Sequence, residues 1–386
     1  MIDLDPLDRI SRPEERRFPV VFGIFVVIAA LGCGWAYWYY ASTKASYAGV
    51  YAELGIAPLP IAAELQPQVR NRLEQLGREP CYRAAISGLS QALLAAGYPR
   101  ESATTVLGFV QRCPGSDDLL AFAYGSLIQV GDFAQALRIA DQLVKAFPAR
   151  SDFHYLRARA SDRLNDFAGA LSDYANTVQL AGNPKNLVVD VFYNMSRMYA
   201  EMGRYCDAIT PIETYISFDP AKRRTLQTTR IITDYAQKGA CETHYSHGLA
   251  HVSFLGSTGV HILPVTVNGV PGKFVLDTGA TYVSVTSEFA AKAKVNIEPG
   301  NQLTMQTASG TVPAVVGYAN SVTLDRAEAQ GVALAVMQGR SDPFGNRMDG
   351  LLGMSFLARF KMDLSQDGLT LTSIPLADFA TSTGIK

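Results

Sequence analysis

The sequence predicts a multidomain protein: a single transmembrane helix, an all-α helical-repeat region and an all-β domain at the C-terminus. Residues Phe18 to Tyr40 contain no charged side chain, as a membrane span requires. In the middle of the chain a short motif recurs at an offset of 34 residues, which indicates stacked helical hairpins. After residue 257, short apolar runs alternate with turn residues, which is typical of β-strands.

The first element is the uncharged segment from Phe18 to Tyr40, which is longer than the roughly 20 residues needed to cross a bilayer. Trp35 and Trp38 lie near its end among tyrosines, as in an interfacial aromatic belt. A cleaved signal peptide is the alternative, but the apolar run is long and no convincing small-x-small cleavage site follows within the aromatic stretch. We therefore expect a transmembrane helix over 18–40.

Basic residues set the expected orientation of this helix. Four arginines precede it within residues 1–17, whereas Lys44 is the sole basic residue between the helix and Arg70. The positive-inside rule then keeps 1–17 in the cytoplasm and places the remainder outside. In a bacterium this is a single-pass protein of the inner membrane with its bulk in the periplasm, and 41–80 is a stalk or linker.

Net charge and cysteine positions indicate which partners and which cellular compartment to expect. With 34 basic and 35 acidic residues, the net charge of −1 gives no indication of a nucleic-acid partner. Cys81 and Cys113 bracket one helical hairpin, and Cys206 and Cys241 bracket another, so the ends of each antiparallel pair should be adjacent. We expect disulfides Cys81–Cys113 and Cys206–Cys241 in an oxidising compartment, with unpaired core thiols as the alternative. Cys33 is expected to be an inert apolar residue.

The repeated motif is Gly-Asp-Phe-Ala-Gln-Ala at 131–136, which returns at 165–170 and, after a short insertion, at 203–208. Its spacing and its aromatic and alanine positions resemble the tetratricopeptide family. That resemblance predicts repeats over 117–150, 151–184 and 189–222, within a helical region over 81–240. Hairpin 81–113 and a helix over 221–238 would cap the two ends.

A solenoid of this kind has a concave face, which could bind a peptide or a protein partner. The alternative is that the repeats act only as a spacer or a dimerisation element. Five side chains on the first helices of the repeats could line such a groove, although aromatic stripes more often belong to the core, so none is assigned as a site: Tyr155, Arg159, Tyr193, Arg197 and Tyr199.

The segment 241–256 is expected to be an interdomain linker. Cys241, His244 and His247 could in principle hold a metal ion, but their spacing is loose and Cys241 has a better partner in Cys206. We therefore expect no metal site, and no cofactor.

One tight loop carries the chemistry of the β domain. An apolar strand runs into Asp277-Thr278-Gly279, and an alternating strand from Tyr282 to Val285 follows. This pattern resembles the active-site loop of retropepsin-like aspartic proteases. Such catalysis needs two carboxylates that share one proton. Because the chain contains a single Asp-Thr-Gly and no Asp-Ser-Gly, the resemblance implies a homodimer with one catalytic Asp per chain.

Two further segments extend the resemblance across the domain at 257–386. Asp349-Gly350-Leu351-Leu352-Gly353 resembles the second signature of the family, in a strand that passes beside the catalytic loop. Residues 304–313 read as a hairpin at the place of the family's flap, with its tip at Ser309 and Gly310. The fold implied is a retropepsin-like barrel. Asp349 precedes a strand rather than lying in a loop, so we interpret it as structural.

The resemblance implies an aspartic-type endopeptidase in which Asp277 activates water, Thr278 and Gly279 support the loop, and Ser309 and Gly310 cover the substrate. The sequence as a whole predicts a membrane-anchored homodimer that cleaves a protein or peptide substrate. The alternatives are a membrane-tethered scaffold with a peptide-binding, non-catalytic domain, and an enzyme that only processes itself. Neither a Gly-x-Ser-x-Gly motif nor a phosphate-binding loop is present.

Overall fold

The computed structural model of the chain is helical before residue 240 and mainly β after it. The helices before residue 240 are α1 (Phe18–Leu54), α2 (Ile61–Glu64), α3 (Pro67–Arg78), α4 (Arg83–Ala95), α5 (Pro99–Arg112), α6 (Asp117–Gln129), α7 (Phe133–Ala146), α8 (Ser151–Arg163), α9 (Phe167–Leu180), α10 (Val189–Glu201), α11 (Tyr205–Ser217), α12 (Pro220–Arg223) and α13 (Leu226–Gly239). The structure describes residues 18–113, 116–181, 186–241, 245–254, 260–307, 310–339, 343–345, 348–366 and 368–374. The chain divides into two compact units between Leu119 and Leu120.

The predicted transmembrane helix over 18–40 is wrong. Within the described residues, no helix combines the length and the apolar character that a membrane crossing needs. The strongly apolar run spans only Val20 to Leu31, and glycines and amphipathic aromatic residues follow it. The helix also continues well past Tyr40, to Leu54.

The first unit holds its helices around the second half of α1. Tyr47, Val50 and Tyr51 are buried there, and α1 packs against α3 and α5. The segment expected to be a stalk is therefore helical over much of its length. A disulfide joins Cys81 to Cys113, with Cα atoms 5.4 Å apart, and ties the start of α4 to the end of α5 as the sequence analysis expected.

The helices α6 to α11 form three consecutive helical hairpins, in agreement with the three predicted repeats. In the first two repeats the motif Asp caps the second helix, whereas in the third Arg204 takes this position and makes no side-chain cap. Asp132 accepts a hydrogen bond from Gln135 N at 3.1 Å, and Asp166 accepts one from Gly169 N at 3.0 Å. A second disulfide, Cys206–Cys241, ties the start of α11 to the segment after α13, again the expected pair.

The C-terminal domain is all-β with two short helices, as predicted. Its elements are β1 (Leu249–Ser253), β2 (Ile262–Val267), β3 (Val270–Leu276), β4 (Val283–Thr286), α14 (Ser287–Lys292), β5 (Asn296–Thr307), β6 (Gly310–Leu324), β7 (Ala327–Met337), β8 (Gly350–Leu352), α15 (Met354–Leu357), β9 (Phe360–Leu364) and β10 (Gly368–Ser373). A seven-stranded sheet has the order β2-β3-β8-β4-β7-β6-β5, and β2 also pairs with β6. That second pairing closes the sheet into a barrel. A three-stranded sheet, β1-β10-β9, lies beside it.

Within the second unit, the repeat helices pack directly on the barrel. One core contains Tyr174 and Val178 of α9 and Phe192 of α10, together with Leu303 and Met305 of β5. The helix α9 packs against α8, α10 and β5, and its residues 170–178 are all buried. The repeats and the barrel therefore share a hydrophobic core.

A buried ionic network reinforces this junction. Arg359, which is 1% exposed, donates to the carbonyl oxygens of Gln330 at 2.6 Å and Gly331 at 3.2 Å, and to Asp207 Oδ1 of α11 at 3.3 Å. Arg204 donates to the other oxygen of Asp207 at 2.9 Å and lies 3.6 Å from the ring centroid of Tyr318 on β6. The Asp207 carboxylate thus bridges two arginines, which offsets the cost of burying them.

Candidate functional site

The strand β3 delivers Asp277 to the edge of the barrel. Its last residue, Leu276, pairs in parallel with Leu352 of β8, and Asp277 N donates to Leu352 O at 3.1 Å. The side chain of Asp277 is partly exposed, and Thr278 and Gly279 are exposed. The carboxylate therefore lies in a partly exposed loop between β3 and β4, and the pairing of β3 with β8 fixes the start of this loop.

The loop backbone folds around this carboxylate. Asp277 Oδ1 accepts hydrogen bonds from Gly279 N at 2.9 Å and from Ala280 N at 3.2 Å. These two bonds fix the orientation of the carboxylate within the loop. Gly279 suits the position sterically, because a Cβ there would lie 3.2 Å from Asp277 Oδ1. A larger residue at 279 would crowd the carboxylate.

The segment after β8 supports the same loop from the other side. Met354 N donates to Ala280 O at 2.8 Å, and Ser355 N donates to Thr281 O at 3.0 Å. Gly353 has a steric requirement of its own, since a Cβ at this position would clash with the carbonyl oxygen of Tyr282. This explains why the apolar strand β8 must end in glycine where it passes the loop.

Ser355 is a supporting residue that the sequence analysis missed. Its buried hydroxyl accepts a hydrogen bond from Val283 N at 2.8 Å and donates to Ala333 O at 2.7 Å, so it links β4 to β7 directly behind the loop. The sequence signal was slight, a single serine after the second signature.

The predicted flap corresponds to the hairpin of β5 and β6. These strands pair antiparallel up to Thr307 and Gly310. Gly310 therefore begins β6, while Ser309, expected at the tip, lies outside the described residues. Leu303 and Met305 on β5 and Val312 and Ala314 on β6 are buried against the repeat helices. One face of this hairpin is thus covered rather than open to solvent.

Asp349 lies outside the loop and bonds to the backbone of β3. Its Oδ2 accepts from Lys273 N at 2.8 Å, and its own N donates to Lys273 O at 2.9 Å. This contact agrees with its interpretation as a structural residue. Of the linker residues once considered for a metal, Cys241 is in a disulfide and His244 lies outside the described residues. Among the residues that the structure describes, no three His, Cys, Asp or Glu side chains form a cluster that could hold a metal.

A second feature missed by the sequence analysis is a contact between the repeats and the catalytic loop. Gln179, near the end of α9, accepts a hydrogen bond from Thr281 N through its Oε1 atom at 3.2 Å. Thr281 lies four residues after Asp277. The helix that packs on the flap hairpin therefore also reaches the loop that carries the candidate catalytic carboxylate.

The repeats themselves contain a polar groove of about 630 Å³ between α8 and α10. It is lined by both signs of charge and by aromatic rings, among them Tyr155, Arg159, Arg163, Tyr174, Asn194 and Arg197. Arg197 pairs with Asp162, and Asn194 donates to the hydroxyl of Tyr174 at 3.1 Å. Tyr199, once considered for the groove, is instead 3% exposed in the core shared with the barrel, where burial raises its pKa well above its ordinary value.

The C-terminal domain matches a known family model. Residues 263–356 match the family model described as aspartyl protease. This match supports the aspartyl protease prediction for the domain that carries Asp277. No curated protein matches the chain.

Solved structures of two kinds resemble parts of the chain. A retropepsin-like aspartic protease from Rickettsia conorii is 28% identical, with a TM-score of 0.25, over 33% of this chain and 90% of its own. YrrB, a TPR protein with an unusual peptide-binding site, is 15% identical with a TM-score of 0.36, over 42% of this chain and 81% of its own. A tetratricopeptide repeat protein from Parabacteroides merdae is 14% identical with a TM-score of 0.37, over 45% of this chain and 66% of its own.

Proposed function

We propose that the chain is an aspartic endopeptidase in which Asp277 is the catalytic carboxylate. The observation that carries this proposal is the loop itself. Asp277 follows β3 at the start of the loop, its carboxylate is oriented by the backbone N–H groups of Gly279 and Ala280, and its side chain is partly exposed. The loop lies within the segment that matches the aspartyl protease family.

The chemistry requires a second carboxylate, and we propose that a second copy of the chain supplies it. The exposure of Thr278 and Gly279 supports this, because the loop is free to meet its counterpart. In the resulting pair one carboxyl is protonated and the other ionised, and the two titrate together. The ionised carboxylate takes a proton from water, which attacks the scissile carbonyl carbon, while the protonated carboxyl donates to the carbonyl oxygen. Collapse of the tetrahedral intermediate breaks the C–N bond, and the leaving amine takes up a proton.

The disulfides Cys81–Cys113 and Cys206–Cys241 support a further proposal, that the protein works in an oxidising compartment such as the expected periplasm. We also propose that the groove between α8 and α10 binds a protein partner or part of the substrate. Its aromatic rings and its paired Arg197 and Asp162 offer both stacking and hydrogen bonds to an extended peptide.

The substitution Asp277→Asn tests the proposed function. It keeps the size of the side chain but removes the ionisable group, so cleavage of a degenerate peptide library should fall by at least about 100-fold. Asp325→Asn is the matched control, since Asp325 is an exposed carboxylate at another turn of the barrel and should leave cleavage unchanged. Products are measured by mass spectrometry.

Mixing the two forms tests the dimer. Because each site needs one carboxylate from each chain, adding excess Asp277→Asn protein to the wild type should inhibit cleavage by forming mixed dimers. Cleavage that survives the substitution, or that remains proportional to wild-type concentration at every dilution and every mixing ratio, contradicts the proposal.

A further inference from the structure

The helix α9 contacts both sides of the candidate cleft. At its C-terminal end, Gln179 is hydrogen-bonded to Thr281 N beside the catalytic loop. One turn earlier, Val178 and Tyr174 share a core with Leu303 and Met305 of the flap hairpin. Because α9 contacts both the catalytic loop and the β5–β6 hairpin, it closes the space between them at that point.

The hydrogen bond from Thr281 N differs from those of the two preceding N–H groups of the loop. Gly279 N and Ala280 N donate within the loop, to the carboxylate of Asp277. Thr281 O is used by Ser355 N, so the loop is anchored to the barrel by its carbonyl. Thr281 N, the next donor along the chain, donates instead to a side chain of the repeats.

An extended peptide binds an enzyme through its backbone carbonyls, which need N–H donors along the cleft. Thr281 lies four residues after Asp277, and its N–H already donates to Gln179 Oε1. A substrate carbonyl and the Gln179 side chain would therefore compete for one donor. Gln179 is half-buried and its side chain can swing on three rotatable bonds, so displacement is sterically feasible.

We propose that α9 closes one end of the substrate cleft and that Gln179 is a specificity-determining residue, which a substrate must displace when it extends to Thr281. This inference rests on the proposed endopeptidase function and deepens it. A substrate that extends to Thr281 gains a hydrogen bond from Thr281 N only by breaking the one that Gln179 accepts, so the added length brings little affinity in the wild type. The repeats thereby take part in substrate selection through a single side chain.

The test uses the full chain and two degenerate peptide libraries, of eight and of twelve residues, with capped ends. The best-cut sequence is then prepared at both lengths, and kcat and KM are measured for the wild type, Gln179→Ala and Gln179→Glu. Gln142→Ala is the matched control, because Gln142 is exposed on α7 of the preceding repeat. Unfolding curves establish that each variant is folded.

For the long peptide, Gln179→Ala should lower KM by about threefold to tenfold with kcat unchanged. In this variant the peptide carbonyl binds Thr281 N without first breaking a hydrogen bond within the enzyme. Gln179→Glu should raise KM for the long peptide, because a carboxylate holds the N–H more strongly. This increase should fade as pH falls below about 4.3, where a glutamate becomes protonated. The short peptide and Gln142→Ala should behave as the wild type.

The outcomes separate the inference from the function on which it rests. If Gln179→Ala raises KM, alters kcat alone, or leaves the length preference unchanged while cleavage still depends on Asp277, the inference is overturned and the proposed function stands. If the wild type and Asp277→Asn proteins give the same products, the proposed function is overturned, and the inference with it.

Discussion

The second helices of two successive repeats, α7 and α9, begin with the same motif but have different surroundings. Each starts after a capping aspartate and continues with Phe-Ala. α7 buries one face and exposes the other, as a surface helix does. α9 is buried all round because its second face packs on the β5–β6 hairpin of the barrel. The helix α7 therefore packs against other repeat helices, whereas α9 packs against repeat helices and the barrel.

The sequences differ at the positions where the surroundings differ. The exposed positions of α7 are occupied by Arg138, Asp141, Gln142 and Lys145, and the corresponding positions of α9, 34 residues later, are Ser172, Ala175, Asn176 and Gln179. Long charged side chains are thus replaced by small or neutral polar ones. The residues of the motif form the inner face in both repeats. The residues of the outer face differ according to whether another domain packs against it.

The largest expected effect comes from placing the charge of α7 into α9. Ala175 is 1% exposed, and Ala175→Asp would bury a carboxylate without a partner, so the free energy of unfolding should fall by about 4 kcal/mol. The reverse change, Asp141→Ala, removes an exposed carboxylate 3.4 Å from Arg157 and should cost less than about 1 kcal/mol. Denaturant unfolding of both variants measures the difference. Equal effects would mean that the outer faces of α7 and α9 are equally tolerant.

The ionic junction gives the next largest effect. Asp207→Asn removes the charge between Arg204 and Arg359, and Arg359 is fully buried, so unfolding should become easier by about 3 kcal/mol. Asp234→Asn is the matched control, because Asp234 forms an exposed pair with Lys238 and should cost about 0.5 kcal/mol or less. A loss at Asp207 no larger than that of the control would show that the junction contributes little beyond its apolar core.

Features set by local spacing could be predicted from the sequence. The repeats, the two disulfide pairs and the strand–loop–strand around Asp277 each depend on residues that are close in the chain or related by a fixed period. The docking of α9 could not be predicted in this way, because Gln179 and Thr281 are 102 residues apart and belong to different folds. The available signal was the loss of charge on the outer face of α9.

The incorrect transmembrane prediction has a related cause. The apolar segment and its aromatic residues were interpreted as a unit that ends at Tyr40, but the helix continues to Leu54 and buries Tyr47 and Tyr51. Tyr51 donates through its hydroxyl to Glu64 Oε1 at 2.5 Å, a contact that hydropathy cannot reveal. Trp35, Tyr37 and Trp38 of the predicted aromatic belt are exposed, whereas the buried tyrosines lie after Tyr40. The prediction therefore missed the packing of the part of the helix that follows the apolar segment.

The smallest expected effect concerns the free energy of unfolding at alkaline pH, and it comes from the core that the repeats share with the barrel. Burial among Tyr282, Tyr318 and Asp207 raises the pKa of Tyr199 well above its usual value of 10.0. The folded protein therefore retains this proton at pH values where the unfolded chain loses it, and the stability that results is complete below pH 10 and declines as pH rises above it. Tyr199→Phe has no proton to lose.

Between pH 8 and pH 11 the variant should therefore lose about 1 kcal/mol less unfolding free energy than the wild type. Denaturant titrations of both proteins at the two pH values measure this difference, and the comparison at pH 8 corrects for any change in packing. An identical loss in the two proteins would mean that Tyr199 ionises as readily in the fold as in the unfolded chain. Such a result would mean that water reaches the side of α10 that faces the barrel. It would contradict the burial of Tyr199 against Tyr282 and Tyr318 in the structure.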